Sequence, residues 1–146
     1  MKKSKIISLT VVLLLLFSLS SCSIDVGYEY MQDPQNITEI YIASLQFDED
    51  YAIYITDEKK IEDIDAFLKD FDDLACYEYY GGPRGFEKEN TNDRIIKLVY
   101  SNGDYELIGW HGMAKYTTSD DRLRNYRGHR VFDEVPFKEF TQKYSN

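Results

Sequence analysis

Arg94-Ile95-Ile96-Lys97-Leu98-Val99-Tyr100, then Ser101-Asn102-Gly103-Asp104, then Tyr105-Glu106-Leu107-Ile108-Gly109-Trp110: this stretch decides the fold. Its two flanking runs are rich in β-branched, aliphatic and aromatic residues and have the composition of strands. The Asn-Gly pair between them is the strongest short-range hairpin signal, because a type I′ turn needs positive φ at both central positions. The expected product is an antiparallel hairpin of strands Arg94–Tyr100 and Tyr105–Trp110.

Upstream of this hairpin, Ile37 to Leu45 and Tyr51 to Ile55 have strand character on either side of the acidic turn Phe47-Asp48-Glu49-Asp50. They predict a second antiparallel pair. From Asp57 to about Leu74, Ile61, Ile64, Leu68 and Phe71 recur at three- and four-residue spacing, with Phe67 and Leu74 widening the stripe. That spacing predicts an amphipathic helix started by Thr56 or Asp57, its acidic face in water. Cys76-Tyr77-Glu78-Tyr79-Tyr80 predicts a further strand. Lys115 to Thr118 and Arg130 to Phe132 predict short ones, and Pro136 to Tyr144 a terminal helix with Pro136 in its first turn. The expected fold is therefore one α+β domain over residues 36–146. It has an antiparallel sheet of about five to six strands, one principal amphipathic helix on one face and a short C-terminal helix.

The chain begins differently. Met1-Lys2-Lys3-Ser4-Lys5 is basic, and an apolar run follows from Ile6 to Leu19. As a helix that run spans roughly 21 Å, short of the roughly 30 Å core of a bilayer. A basic flank, an apolar middle and a small-residue end form the layout of a cleaved export signal. Leu19-Ser20-Ser21-Cys22 resembles the lipobox of bacterial lipoproteins: an aliphatic residue, two small residues and a cysteine. The resemblance implies a diacylglyceryl group on the Cys22 thiol and cleavage between Ser21 and Cys22. Residues 1–21 would then be a removed signal peptide and the mature chain would be anchored on the extracytoplasmic face of the cell membrane. Ser23 to about Gln35 lacks periodicity and reads as a tether, the lipidated segment being 22–35, although Tyr28 and Tyr30 make it less polar than most linkers and suit it to partial docking on the domain. Fully extended, it would hold the domain up to roughly 43 Å from the lipid.

Charge follows from that processing. The formal net charge is −9, and loss of Lys2, Lys3 and Lys5 with the signal takes it to −12. Such a balance argues against nucleic acid and against electrostatic adsorption to anionic lipid. It is also uneven. Residues 22–110 carry 21 acidic and 7 basic side chains, whereas residues 111–146 carry 5 acidic and 7 basic. With Cys22 lipidated, Cys76 has no cysteine to pair with, so the domain relies on packing, for which 13 tyrosines and 8 phenylalanines offer large surfaces.

No catalytic signature stands out: there is no Gly-x-Ser-x-Gly, no His-Glu-x-x-His and no Cys-x-x-Cys. No catalytic residue, metal ligand set or cofactor is assigned. His111, at a predicted strand end, and His129 offer acid–base chemistry to an alternative reading as a small envelope enzyme. Cys76 reads as a buried strand residue. Gly81-Gly82-Pro83-Arg84-Gly85 offers backbone N–H groups and Arg84 to an anion, or is simply a loop. Asp48-Glu49-Asp50 and Asp120-Asp121 lack the ligand spacing of a calcium loop.

The richest stretch is Arg122-Leu123-Arg124-Asn125-Tyr126-Arg127-Gly128-His129-Arg130. Its arginine forks suit carboxylate or phosphate, and Tyr126 and His129 offer two stacking rings. Either Arg122, Arg124, Arg127 and Arg130 bind an anionic envelope polymer or acidic protein, or they pair with the acidic helix of their own domain. The expected role is a non-catalytic interaction module. A structural accessory of a membrane complex is the further alternative.

Overall fold

The structure, a computed structural model, describes residues 25–78, 86, 93–110, 112–125 and 130–146. It is an α+β fold built on one curled, six-stranded antiparallel sheet with two helices. In chain order the strands are β1 (Ile37–Phe47), β2 (Ile53–Lys60), β3 (Cys76–Glu78), β4 (Arg94–Tyr100), β5 (Tyr105–Ile108), β6 (Met113–Thr117), β7 (Arg122–Asn125) and β8 (Arg130–Phe132). The helices are α1 (Ile64–Asp72) and α2 (Glu134–Ser145). The main sheet runs β2-β1-β4-β5-β6-β7, and β3 pairs with β8 in a separate two-stranded sheet.

The central hairpin forms, with Val99 opposite Tyr105 and Ile96 opposite Ile108, one residue away from the register that a two-residue Asn-Gly loop would set. Its turn differs from the expected type I′. Gly103 N–H donates to Tyr100 C=O at 2.9 Å, and Tyr100 N–H donates to Asp104 C=O at 2.9 Å. Gly103 has φ +86°, while Asn102 is not among the residues with positive φ. This is a three-residue loop, Ser101-Asn102-Gly103, in which only the last position needs the left-handed region. Asn102 instead braces the turn, accepting from Asp104 N–H at 3.0 Å.

The expected helix over 57–74 is corrected at its start. β1 has 11 residues and pairs along its length, so β2 stays extended as far as Lys60, opposite Tyr41. One residue of β1, Ala43, faces two of β2, Asp57 and Glu58, between the Ile42–Lys59 and Ser44–Thr56 pairs. The surplus residue is a bulge, with Asp57 at φ 51°. Neither Thr56 nor Asp57 caps a helix. Asp63 does, its carboxylate accepting from Ala66 N–H at 2.9 Å. α1 is thus 9 residues long and α2 12, so the C-terminal helix is the longer of the two. Pro136 lies in the first turn of α2, as expected.

Both faces of the sheet are covered. On one, Ile40, Ile42, Ile96, Leu98 and Ile108 pack with Phe67 and Phe71 of α1 and Phe137 and Phe140 of α2. The helices meet through rings, Phe67 to Phe140 at 5.1 Å and Phe67 to Tyr144 at 4.7 Å. The other face curls around a smaller core of Ala43, Leu45, Ile95, Leu107 and Ala114, plugged by Phe86. Phe86 also fixes Gly109, where an added Cβ would lie 2.7 Å from the ring. β7 is the last strand of the sheet. Leu123 packs on this core while Arg122 and Arg124 stand exposed, which is why the sequence pattern did not mark β7 as a strand.

Candidate functional site

The segment expected to be a tether is, from Asp25 onward, part of the folded body. Asp25 forms an antiparallel bridge with Tyr77, and Val26 N–H donates to Cys76 C=O at 2.9 Å. The Asp25 carboxylate accepts from the N–H groups of Cys76 and Gly27, both at 3.0 Å, and these bonds hold it below the usual carboxylate range. Tyr28 then lays its ring edge-on to Phe71 at 5.2 Å and stacked on Phe132 at 6.0 Å. Tyr30 donates to Asp72 at 2.6 Å, and Gln32 reaches Asp104 at 2.9 Å. The arm therefore crosses the helix-bearing face from β3 to the β4–β5 turn.

Its anchor is Glu106 of β5. In this strand Tyr105 and Leu107 point to the smaller core, so Glu106 and Ile108 point to the helices. Glu106 is only 4% exposed, and a buried carboxylate needs donors. It has three: Tyr28 OH at 2.6 Å, the Tyr100 OH, and Met31 N–H at 3.4 Å. Burial still pushes the carboxyl above its usual range, against the opposing pull of these bonds. Burial and the Glu106 charge likewise push the Tyr28 and Tyr100 phenols well up. Both phenols therefore keep their protons and can only donate to the charged carboxylate. The cluster is a clasp that binds the arm. Sequence reading missed it because both faces of β5 are buried, so alternation could not single out an inward Glu106.

Of the residues expected to bind a partner, Arg122 and Arg124 stand exposed on β7. Period-two alternation puts them on one face, opposite Leu123. Arg124 pairs across the adjacent turn with Asp120 at 2.9 Å, and its neighbour in the ladder is Lys115. The acidic helix is partnered elsewhere: Asp70 of α1 accepts from Lys143 and from the Tyr144 OH of α2, each at 2.6 Å. Among the described residues no ion pair joins Arg122 or Arg124 to α1, and Arg124 pairs with Asp120 instead. Arg130 belongs to the other sheet, its backbone opposite Glu78, so the arginine stretch does not form one strand-borne row. Arg84, Tyr126, Arg127, His111, His129, Ser21 and Cys22 lie outside the described residues.

Of the remaining acidic candidates, Asp48, Asp120 and Asp121 have structural partners. Asp48 accepts from Ala52 N–H at 2.8 Å, closing the β1–β2 turn. Asp121 accepts from Tyr116 OH at 2.7 Å. Cys76 is fully buried on β3. An open cavity of about 510 Å³ lies between the start of β4 and α2, lined by Asp93, Arg94, Lys138 and Thr141 among others. Asp93 there accepts from Trp110 Nε1 at 2.9 Å and faces Lys138 at 3.4 Å, and Thr141 Oγ1 donates to its own helix backbone. A smaller one, about 290 Å³, opens between the two edge strands and is lined by Tyr51, Ala52, Ile53 and Leu123. Among the described residues no group of three or more His, Cys, Asp or Glu side chains is arranged to hold a metal ion. Among them, too, no helix is long and apolar enough to cross a membrane. No family model, no curated protein and no solved structure matches the chain.

Proposed function

We propose that the protein is a bacterial lipoprotein, carried on the extracytoplasmic face of the cell membrane by a diacylglyceryl group on Cys22. Its folded body acts there as a non-catalytic interaction module. The address rests on Leu19-Ser20-Ser21-Cys22 and the basic, apolar segment before it. Two acyl chains supply the stable attachment that one would not. Replacing Cys22 with alanine is expected to abolish incorporation of labelled palmitate and to move the protein out of the membrane fraction. A variant that keeps both properties would sink the address.

The observation that carries the interaction role is the pair Arg122 and Arg124, exposed on an edge strand while Asp70 of the acidic helix takes its partners from α2. Guanidinium forks on one face of a strand suit carboxylates or phosphates of an anionic envelope polymer or an acidic protein surface. The Arg124–Asp120 pair is exposed and worth little, so a partner's anion can displace it. The double change Arg122→Ala and Arg124→Ala is expected to weaken capture of cell-envelope material in a pull-down without lowering the unfolding midpoint. Capture that stays unchanged would remove these residues from the contact surface.

A further inference from the structure

We infer that the folded arm holds the β3–β8 pole of the body against the bilayer, rather than letting the body range away from it. The inference rests on lipidation of Cys22. Counting along the chain, only Ser23 and Ile24 separate Cys22 from Asp25, the first residue bonded to β3. Three peptide steps reach about 10 Å when fully extended. An arm free as far as Gln35 would reach roughly 43 Å. The difference is fixed by the bonds of Asp25 and Val26 to Cys76, the Tyr28 ring on Phe71 and Phe132, and the Glu106 clasp.

The pole has a definite chemistry. Asp25 and Asp133 both lie near Tyr77, and their charges push its phenol up. Glu78 and Asp133 are exposed beside it. Arg130 stands opposite Glu78 in the ladder, so the pole carries both signs and, among the described residues, offers no cationic patch to draw it onto anionic head groups. The pole therefore faces the bilayer because the covalent lipid and the short leash keep it there. A body of this size has a radius of gyration of about 14 Å. Its outermost surface then stands only some 45 Å from the lipid, and its partner is one that comes that close to the membrane.

The test uses the full lipoprotein, purified from membranes and placed in phosphatidylcholine vesicles that contain a nitroxide-headgroup lipid. Fluorophores are attached to Glu78→Cys, at the β3–β8 pole, or to Ser101→Cys, at the far end of the arm. Both positions are exposed, and Cys76 is fully buried. The expected result is strong quenching at position 78, little at 101, and loss of the quenching at 78 when 12 Gly and Ser residues are inserted after Ile24. That insertion adds about 19 Å of r.m.s. length. Quenching at 78 no greater than at 101, or unmoved by the insertion, in protein that carries labelled acyl chains would overturn the inference and leave the lipoprotein reading standing. Protein without labelled acyl chains that leaves the vesicles would overturn both.

Discussion

Replacing Phe71 with alanine is expected to cost about 3–5 kcal/mol, against a total stability of about 5–15 kcal/mol for a domain of this kind. The ring is fully buried, and three other parts of the chain meet on it besides its own helix. Its centroid lies 5.2 Å from Tyr28 of the arm, 5.5 Å from Phe132 of β8, 5.9 Å from Phe140 of α2 and 6.2 Å from Phe67 of its own helix. Truncation leaves a cavity that none of these neighbours can fill without moving off another. Because the elements hold one another through the same ring, the arm and α2 should loosen together, in one cooperative transition. Urea unfolding measures the loss directly. Tyr51→Ala, at a residue 69% exposed on the β1–β2 turn, is the control and should change stability by no more than about 0.5 kcal/mol. A Phe71→Ala loss no larger than that of Tyr51→Ala would mean that the arm, β8 and α2 are not joined through this ring.

The contrast between those two aromatics shows what was legible in the sequence. Periodicity identified Phe71 as inward, and turn chemistry identified the β4–β5 hairpin to the residue at Arg94 and Tyr100. Both signals are local. The start of α1 was not legible, because Asp57-Glu58-Lys59-Lys60 suits a helix surface as well as a strand. What decides its state is the length of β1, whose Tyr41 and Ile42 need partners. β7 was hidden for a related reason. Three of its four residues are polar, and its strand state comes from the ladder with β6 rather than from its own propensity. The partner of β8 was equally out of reach, since the Cys76–Phe132 pair joins residues far apart in the chain.

The candidate site divides along the same line. The chemistry of Arg122 and Arg124 is written in the residue types, but their exposure depends on where the acids went. The opposite charge signs of the two chain regions fit pairing of the arginines with α1. The fold instead gives Asp70 to Lys143 and Tyr144. The clasp was the least legible feature. An aperiodic arm becomes structure only because two phenols and a backbone N–H find one buried carboxylate.

Tyr28→Ala should therefore have an effect out of proportion to its place in a segment that reads as a linker, about 3 kcal/mol. That is the low end for truncating a large ring, because the ring is partly exposed. Tyr28→Phe keeps the ring contacts and removes only the 2.6 Å bond to Glu106, a bond to a charged group worth about 1.5–3 kcal/mol. Glu106→Gln keeps the shape and removes the charge. The sign of its pH effect follows from the raised carboxyl of Glu106. A raised acid contributes its full stability below the unfolded value of 4.5 and loses it as pH rises through the folded value. The carboxylates held low by hydrogen bonds, among them Asp25, Asp70 and Asp104, run the other way and lose their contribution in acid. The difference between wild type and Glu106→Gln isolates the one from the others. As pH rises from about 4 to 8, wild type should lose stability relative to the variant; a difference that stays flat, or grows in favour of wild type, would show that Glu106 is not desolvated in the folded protein. Limited proteolysis near Gly27 should accelerate in Tyr28→Ala while the body resists, because the arm detaches before the sheet opens. The same substitution then lengthens the leash, so the quenching at position 78 should fall even though the lipid remains. A local clasp on Glu106 would in this way set how far the exposed arginines of β7 stand from the membrane.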